Sequence, residues 1–257
     1  MNFLYIWEPQ TLHYAILHSF FIIIPLFFSL LLVRAQKTPS VQNKIDSSFQ
    51  ACFIQKSSSP LILLDKSLLA NESLERDYWR AYLHYHLAVY LSETNEKALA
   101  EEMNDLGIDL LMQRKTKSSE DLALLALMES FSISFKKGAA FWITQRVKKN
   151  AQKALEKDSL NLRAYFVLGS NDFYTPKQFG GMKKAEQYLK KAVLLGKQNS
   201  KTNTKPNWGH SMSYELLVKL LLKQNQPQKA IKWAKEGLRL YPDHFPLKML
   251  NDRLKTK

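Results

Sequence analysis

The stretch SMSYELLVKLLLKQNQPQKAIKWAKEGLRLYPD, residues 211–243, decides the fold. Tyr214, Leu217, Val218 and Leu221 fall at intervals of three and four, the spacing that gathers side chains on one face of an α-helix. After a short polar break, Ala230, Ala234 and Gly237 hold one face of a second helix. Pro242 closes the unit, because proline cannot continue the hydrogen-bond ladder. The division of sizes has a packing logic. Small residues on the second helix let it lie close against the first, and bulky residues on the first fill the groove between them.

The same register recurs upstream. Tyr165, Leu168 and Gly169 take the first-helix positions, and Ala185, Leu189 and Ala192 take those of the second. Gly169 and Ala185 are 16 apart, where Val218 and Ala230 are 12 apart, so the upstream turn holds an insertion of four. A weaker copy has Leu87 and Ala88 followed by Ala100 and Gly107, and Ala154 with Ser159 matches the close of another. This is the tetratricopeptide spacing, and its repetition predicts an all-α chain. The expected architecture is a right-handed superhelix of antiparallel helix pairs over 36–257, clearest in 161–196 and 211–243. Helices are expected near 42–56, 60–70, 73–92, 95–113, 119–136, 139–157, 161–174, 182–197, 209–224, 227–240 and 245–255. Cap residues support two of the starts: Asn71-Glu72-Ser73, and Ser118-Ser119-Glu120-Asp121.

Composition agrees. Hydrophobic residues make up 46% of the chain, ample for a core, while 8 Gly and 9 Pro are few for a fold built on tight turns. The single cysteine, Cys52, excludes an intramolecular disulfide and reads as a buried apolar residue. Charge is uneven: residues 1–133 carry 11 Lys+Arg against 15 Asp+Glu, and residues 134–257 carry 26 against 8. The basic half can attract an anionic partner. Its lysines are scattered at helical spacing without a nucleic-acid-reading motif, which argues for solvated helix faces and against nucleic acid.

The N-terminus is a separate unit. Thr11 to Val33 has no formally charged residue, and Phe20 to Val33 is nearly continuous hydrocarbon. A run of about 20 residues can span a bilayer as a helix. Val33-Arg34-Ala35 before Gln36 also has the small-residue pattern of a signal-peptide cut. Against a plain signal peptide, residues 1–13 contain Glu8 and no Lys or Arg, and Arg34 and Lys37 follow the apolar run. Residues 1–35 are therefore expected to be a signal peptide cleaved near Ala35/Gln36, giving an exported periplasmic or envelope protein. The alternative is a single-pass membrane anchor.

The inserted turn Tyr174-Thr175-Pro176-Lys177-Gln178-Phe179-Gly180-Gly181 is the most distinctive piece. Pro176 is expected to end the preceding helix, Gly180 and Gly181 to permit positive φ, and Phe179 to fold back as an apolar plug. Together with Asn161-Leu162-Arg163-Ala164-Tyr165, Leu168-Gly169 and Pro206-Asn207-Trp208-Gly209, this turn resembles exported tetratricopeptide-repeat proteins of Bacteroidetes-type bacteria. It is distantly similar to helical-repeat partner components of some substrate-binding transport systems. The resemblance, clearest over 150–243, implies a superhelical binding module without catalytic residues.

Candidate contact residues cluster at one helix end. Asn171, Asp172 and Tyr174 close a first helix, the type that lines the concave face in such repeats, and Arg163 opens it. Their competing role is to cap the helix and tie down the long turn. His84 and His86 are two apart, so they face away from each other, and core packing is expected rather than metal binding. Ser134 and Lys137 form an S-x-x-K pattern without the companion motifs of the enzymes that use it. Trp208 is expected to anchor its linker to the stack.

The expected function is non-catalytic: an envelope scaffold or binding protein presenting a helical groove to a protein or small ligand, with no cofactor and no metal. A basic adaptor for lipid, polysaccharide or nucleic acid is the alternative. An envelope hydrolase rests on Ser134 and Lys137 alone.

Overall fold

The computed structural model describes residues 40–70, 72–199 and 206–255. Segment 1–35, the expected signal or anchor, lies outside the described residues. No helix among the described residues is long and apolar enough to cross a membrane.

Every regular element among the described residues is helical. The helices are α1 (Val41–Gln55), α2 (Ser59–Leu69), α3 (Arg76–Glu93), α4 (Lys97–Met112), α5 (Ser119–Ser132) and α6 (Ala140–Lys157). They continue with α7 (Leu162–Tyr174), α8 (Ala185–Asn199), α9 (His210–Lys223), α10 (Pro227–Leu240) and α11 (Phe245–Lys255). Single turns of 3-10 helix occupy Lys137–Ala139 and Lys177–Phe179.

The helices pack as consecutive hairpins: α1 with α2, α3 with α4, α5 with α6, α7 with α8, and α9 with α10. First helices also pack on one another in sequence, α1 on α3 and so on to α9 on α11. This is a tetratricopeptide-like stack. A first helix is held between two neighbours and its own partner, which is why α5 and α9 are buried nearly all round. A second helix meets fewer neighbours, and α10 buries only the stripe Ala230, Ala234 and Gly237.

Small residues set the closeness. A Cβ on Gly237 would lie 2.6 Å from Leu247 and 2.9 Å from Tyr214, and one on Gly169 would lie 2.8 Å from Leu189. Ala185, Leu189, Ala192, Tyr214, Leu217, Ala230 and Ala234 are wholly buried and Leu168 nearly so. Each large side chain among them contributes roughly 1.5–3 kcal/mol by burial. Tyr165 is half-buried and turns toward Tyr188, while Pro242 stays exposed in the turn before α11.

Polar links fasten the hairpins. Ser118 and Asp121 form a reciprocal capping box at the start of α5. Wholly buried Asn161 accepts the N–H groups of Arg163 and Ala164 and donates to Ser119 Oγ at 2.8 Å. Ser119 in turn donates to the carbonyl of Ala154 at 2.8 Å, joining α5, α6 and α7 at one end.

Three helix bounds differ from the sequence reading by three residues or more. α3 starts at Arg76, three residues later than expected, with Glu75 before it and no side-chain cap. α5 stops at Ser132, because Ser134 Oγ binds the Phe131 carbonyl at 2.7 Å and competes with the helical ladder. α8 begins at Ala185, since Met182 adopts φ +65° and breaks the helical path before it.

Candidate ligand cavity

First helices run parallel, so their N-terminal ends gather at one end of the stack. Segment 206–209 crosses that end. The Asn207 N–H donates to Gln42 Oε1 of α1 at 2.7 Å, the Trp208 indole donates to Tyr78 of α3 at 2.8 Å, and Arg163 of α7 donates to the Pro206 carbonyl at 2.6 Å. The inner face is therefore interrupted there, and it opens toward the C-terminal halves of α5 and α7.

In that opening lies a cavity of about 1130 Å³. Pockets for drug-sized ligands run roughly 300–1,000 Å³, so this one has room for a larger guest. Helical periodicity builds each wall. α5 contributes Leu127, Ser130, Phe131 and, just past its end, Ser134, at steps of three, four and seven. α6 contributes Phe141, Thr144, Gln145 and Lys148 in the same rhythm. α7 gives Phe166, Ser170, Asn171 and Tyr174, and α9 gives Met212, Glu215 and Leu216. Tyr85 of α3 and the turn residues Thr175, Pro176, Gln178 and Phe179 add to the lining.

The lining is mostly aromatic and aliphatic. Phe131 meets Tyr85 edge to face at 5.7 Å, and Phe141 meets Trp142 at 5.2 Å. Burial, with smaller contributions from nearby Tyr174 and Glu215, pushes the Tyr85 hydroxyl up to about 12, so it stays protonated. Glu215 is the one carboxylate in the lining among the described residues. Burial alone would raise it, but His244 Nε2 at 3.1 Å and Lys219 hold it below the usual carboxylate range. Lys137 and Lys148 also line the cavity, and neither makes an ion pair with a described residue.

The four residues singled out in the sequence take different places. Asn171 lines the cavity, is 4% exposed, and its side-chain nitrogen has no hydrogen-bond partner. Tyr174 stands at the mouth, 65% exposed. Asp172 faces the inserted turn instead: its carboxylate accepts the N–H groups of Lys184 and Ala185, both at 2.8 Å, and its carbonyl accepts that of Met182. It thus caps α8 from a distance. Arg163 is buried in an ion pair with Glu120 of α5, which fixes it as a structural latch.

The inserted turn departs from expectation in two respects. Phe179 is 71% exposed and borders the cavity, so it is no plug. Gly180 has φ +82°, but Gly181 serves close approach: a Cβ there would lie 1.9 Å from the Thr175 carbonyl oxygen. α7 ends at Tyr174 ahead of Pro176, with Thr175 as its cap.

Ser134 and Lys137 both border the cavity, yet the Ser134 hydroxyl is committed to a carbonyl rather than to a base. His84 faces Asp65 at 3.4 Å, while His86 lies against Phe49 and Tyr82, so the two histidines diverge. No cluster of three metal-ligating side chains occurs among the described residues. Cys52 is buried.

Among the lining residues that the sequence did not single out are Phe131, Phe141, Lys148, Phe166, Met212, Glu215 and Leu216. Adjacent Phe141 and Trp142, both more than 60% exposed, were the available signal, since no core pattern calls for such a pair.

No protein-family model matches the chain, and no curated protein matches it. Among solved structures it is similar to the HusA haemophore from Porphyromonas gingivalis, with a TM-score of 0.51 and 22% identity over 74% of this chain and 96% of that one. It also matches YrrB, described as a TPR protein with an unusual peptide-binding site, at a TM-score of 0.35 and 13% identity over 81% of this chain and 99% of that one. The first likeness shows a shared helical fold.

Proposed function

We propose that the chain is a non-catalytic binding protein of the cell envelope that takes a bulky amphiphilic small molecule in the cavity between α5, α6, α7 and α9. The observation that carries this reading is the cavity itself, about 1130 Å³ and walled mainly by Phe131, Phe141, Phe166, Met212 and Leu216. Segment 206–209 supports a compact guest over an extended peptide, because it crosses the inner face where a peptide would continue. Haem or a related tetrapyrrole is the first ligand to try, since a haemophore shares the fold and a broad apolar ring suits aromatic walls. The apolar run ending at Val33 supports export or anchoring, with the repeats winding as a right-handed superhelix beyond it.

Titration of the purified protein with haem, followed by absorbance, tests the reading. Saturable one-to-one binding that is lost on Phe166→Asp supports it. Linear, unsaturable partitioning of haem, together with failure to bind metal-free porphyrin, would overturn it. Cell fractionation with N-terminal sequencing tests the envelope assignment: an intact N-terminus in the cytoplasmic fraction is incompatible with it.

A further inference from the structure

We propose that the cavity selects a guest bearing a carboxylate, and that Asn171, Lys137 and Lys148 are the residues that decide this. The inference rests on the cavity being the binding site and names the chemistry of its ligand. Three observations point the same way. Asn171 is 4% exposed, yet its amide nitrogen has no partner and its residue lines the cavity. Leaving a buried donor unpaired is unfavourable, and an acceptor oxygen on the guest removes that cost.

Both cations of the lining, Lys137 and Lys148, lack an ion-pair partner among the described residues. Lys137 stands in the turn before α6 and Lys148 lies further along α6, so both reach from the same wall. Long ammonium side chains keep their stems on apolar surface and extend their heads to a charge. Glu215, the lining carboxylate, does not oppose an anion, because one oxygen is held by Lys219 and the other by His244. A cationic guest would meet two free ammonium groups and one neutralised acid. A carboxylate meets two cations and an amide donor, while its apolar body rests on Phe131 and Phe166.

Asp172 and Arg163 are excluded from this role by their own partners, the α8 N–H groups and Glu120. The selective residues therefore form a small set on α6, the turn before it, and α7.

The test compares protoporphyrin IX, which has two carboxylates and no metal, with its dimethyl ester, which has the same ring and no charge. Binding of each to the full chain is followed by fluorescence at low and high salt. The acid is expected to bind at least about tenfold tighter, the scale of one charge-assisted hydrogen bond. That preference should shrink at high salt and in Lys137→Gln/Lys148→Gln. Asn171→Leu should weaken the acid more than the ester, and Asn171→Asp should do so further by placing a carboxylate against the guest's own. Circular dichroism of each variant confirms folding. Equal, saturable binding of acid and ester by the unaltered chain overturns this inference and leaves the apolar cavity reading intact. Saturable binding of neither overturns both.

Discussion

Trp208 donates its indole N–H to the hydroxyl of Tyr78 at 2.8 Å, joining two residues 130 positions apart in sequence. The bond is buried, and Trp208 also stacks near-parallel on Tyr82 with centroids 6.3 Å apart. It fastens the segment before α9 across the start of α3, and so closes one end of the inner face.

Trp208→Phe keeps most of the apolar contact and leaves the Tyr78 hydroxyl buried without its donor. A loss of about 1–3 kcal/mol in urea denaturation is expected. Adding Tyr78→Phe should recover part of it, because both polar partners are then gone. Strict additivity of the two losses would show that the bond contributes nothing.

Gly196 and Gly107 separate rigid from yielding neighbours. A Cβ on Gly196 would lie 2.2 Å from the His210 ring, which is held by Tyr241 at 2.6 Å and by the Val193 carbonyl at 3.0 Å. A Cβ on Gly107 would lie 2.3 Å from the terminal methyl of Met128, a flexible end that can move aside. Gly196→Ala should cost about 1–3 kcal/mol. Gly107→Ala should cost less, its clash being partly offset by better helix propensity. Thermal melts rank the two, and the reverse order is the disproving result.

His86 gives the fold a pH dependence. Its ring lies among Phe49, Tyr82 and Tyr85, with both nitrogens buried and without hydrogen-bond partners, and burial lowers its pKa from 6.5 to about 3. The folded state therefore binds fewer protons than the unfolded state between those values, so stability is full above pH 6.5 and falls as pH drops toward 3. Asp46, whose Oδ1 is 3.8 Å from His86 Nε2, acts oppositely: burial raises its pKa, and it takes up a proton early in the same descent. At about 1.4 kcal/mol per pKa unit the histidine effect reaches a few kcal/mol. Urea midpoints from pH 7 to 4 should fall for the natural chain and stay flatter for His86→Leu. Parallel slopes would refute the assignment.

Tyr174 tests the mouth of the cavity without touching the core. It is 65% exposed, and its ring meets Phe173 edge to face. Tyr174→Ala should leave the melting temperature within about 2 °C, a surface-scale change of roughly 0.5 kcal/mol. It should weaken porphyrin binding several-fold through lost aromatic contact, as read by fluorescence titration. An unchanged affinity would place the guest away from this rim.

Asn161→Ala should exceed an ordinary cap deletion. Asn161 is wholly buried and satisfies two N–H groups of α7 while donating to Ser119. A lone cap is worth about 1 kcal/mol, and here the loss also strands a link between α5 and α7. Ser118→Ala, which breaks a cap on a more exposed start, is the comparison. Equal losses in chemical denaturation would mean that the inter-helix link carries no stability.

Much of this protein was fixed by local chemistry. Three- and four-residue spacing specified the helices, and alanine and glycine at Ala230, Ala234 and Gly237 specified which faces could approach, because both depend on periodicity and side-chain volume. Helix bounds erred where remote or competing groups intervened, as at Ser134 beside Phe131. The cavity belongs to tertiary structure alone. Phe131, Phe141, Phe166 and Leu216 each sit on an ordinary amphipathic face, and only the stacking of hairpins brings those faces around one space. The same holds for charge: nothing local to Asp172 or Asn171 tells which finds partners. Contacts from the far side of the turn engaged Asp172, and left the amide of Asn171 waiting.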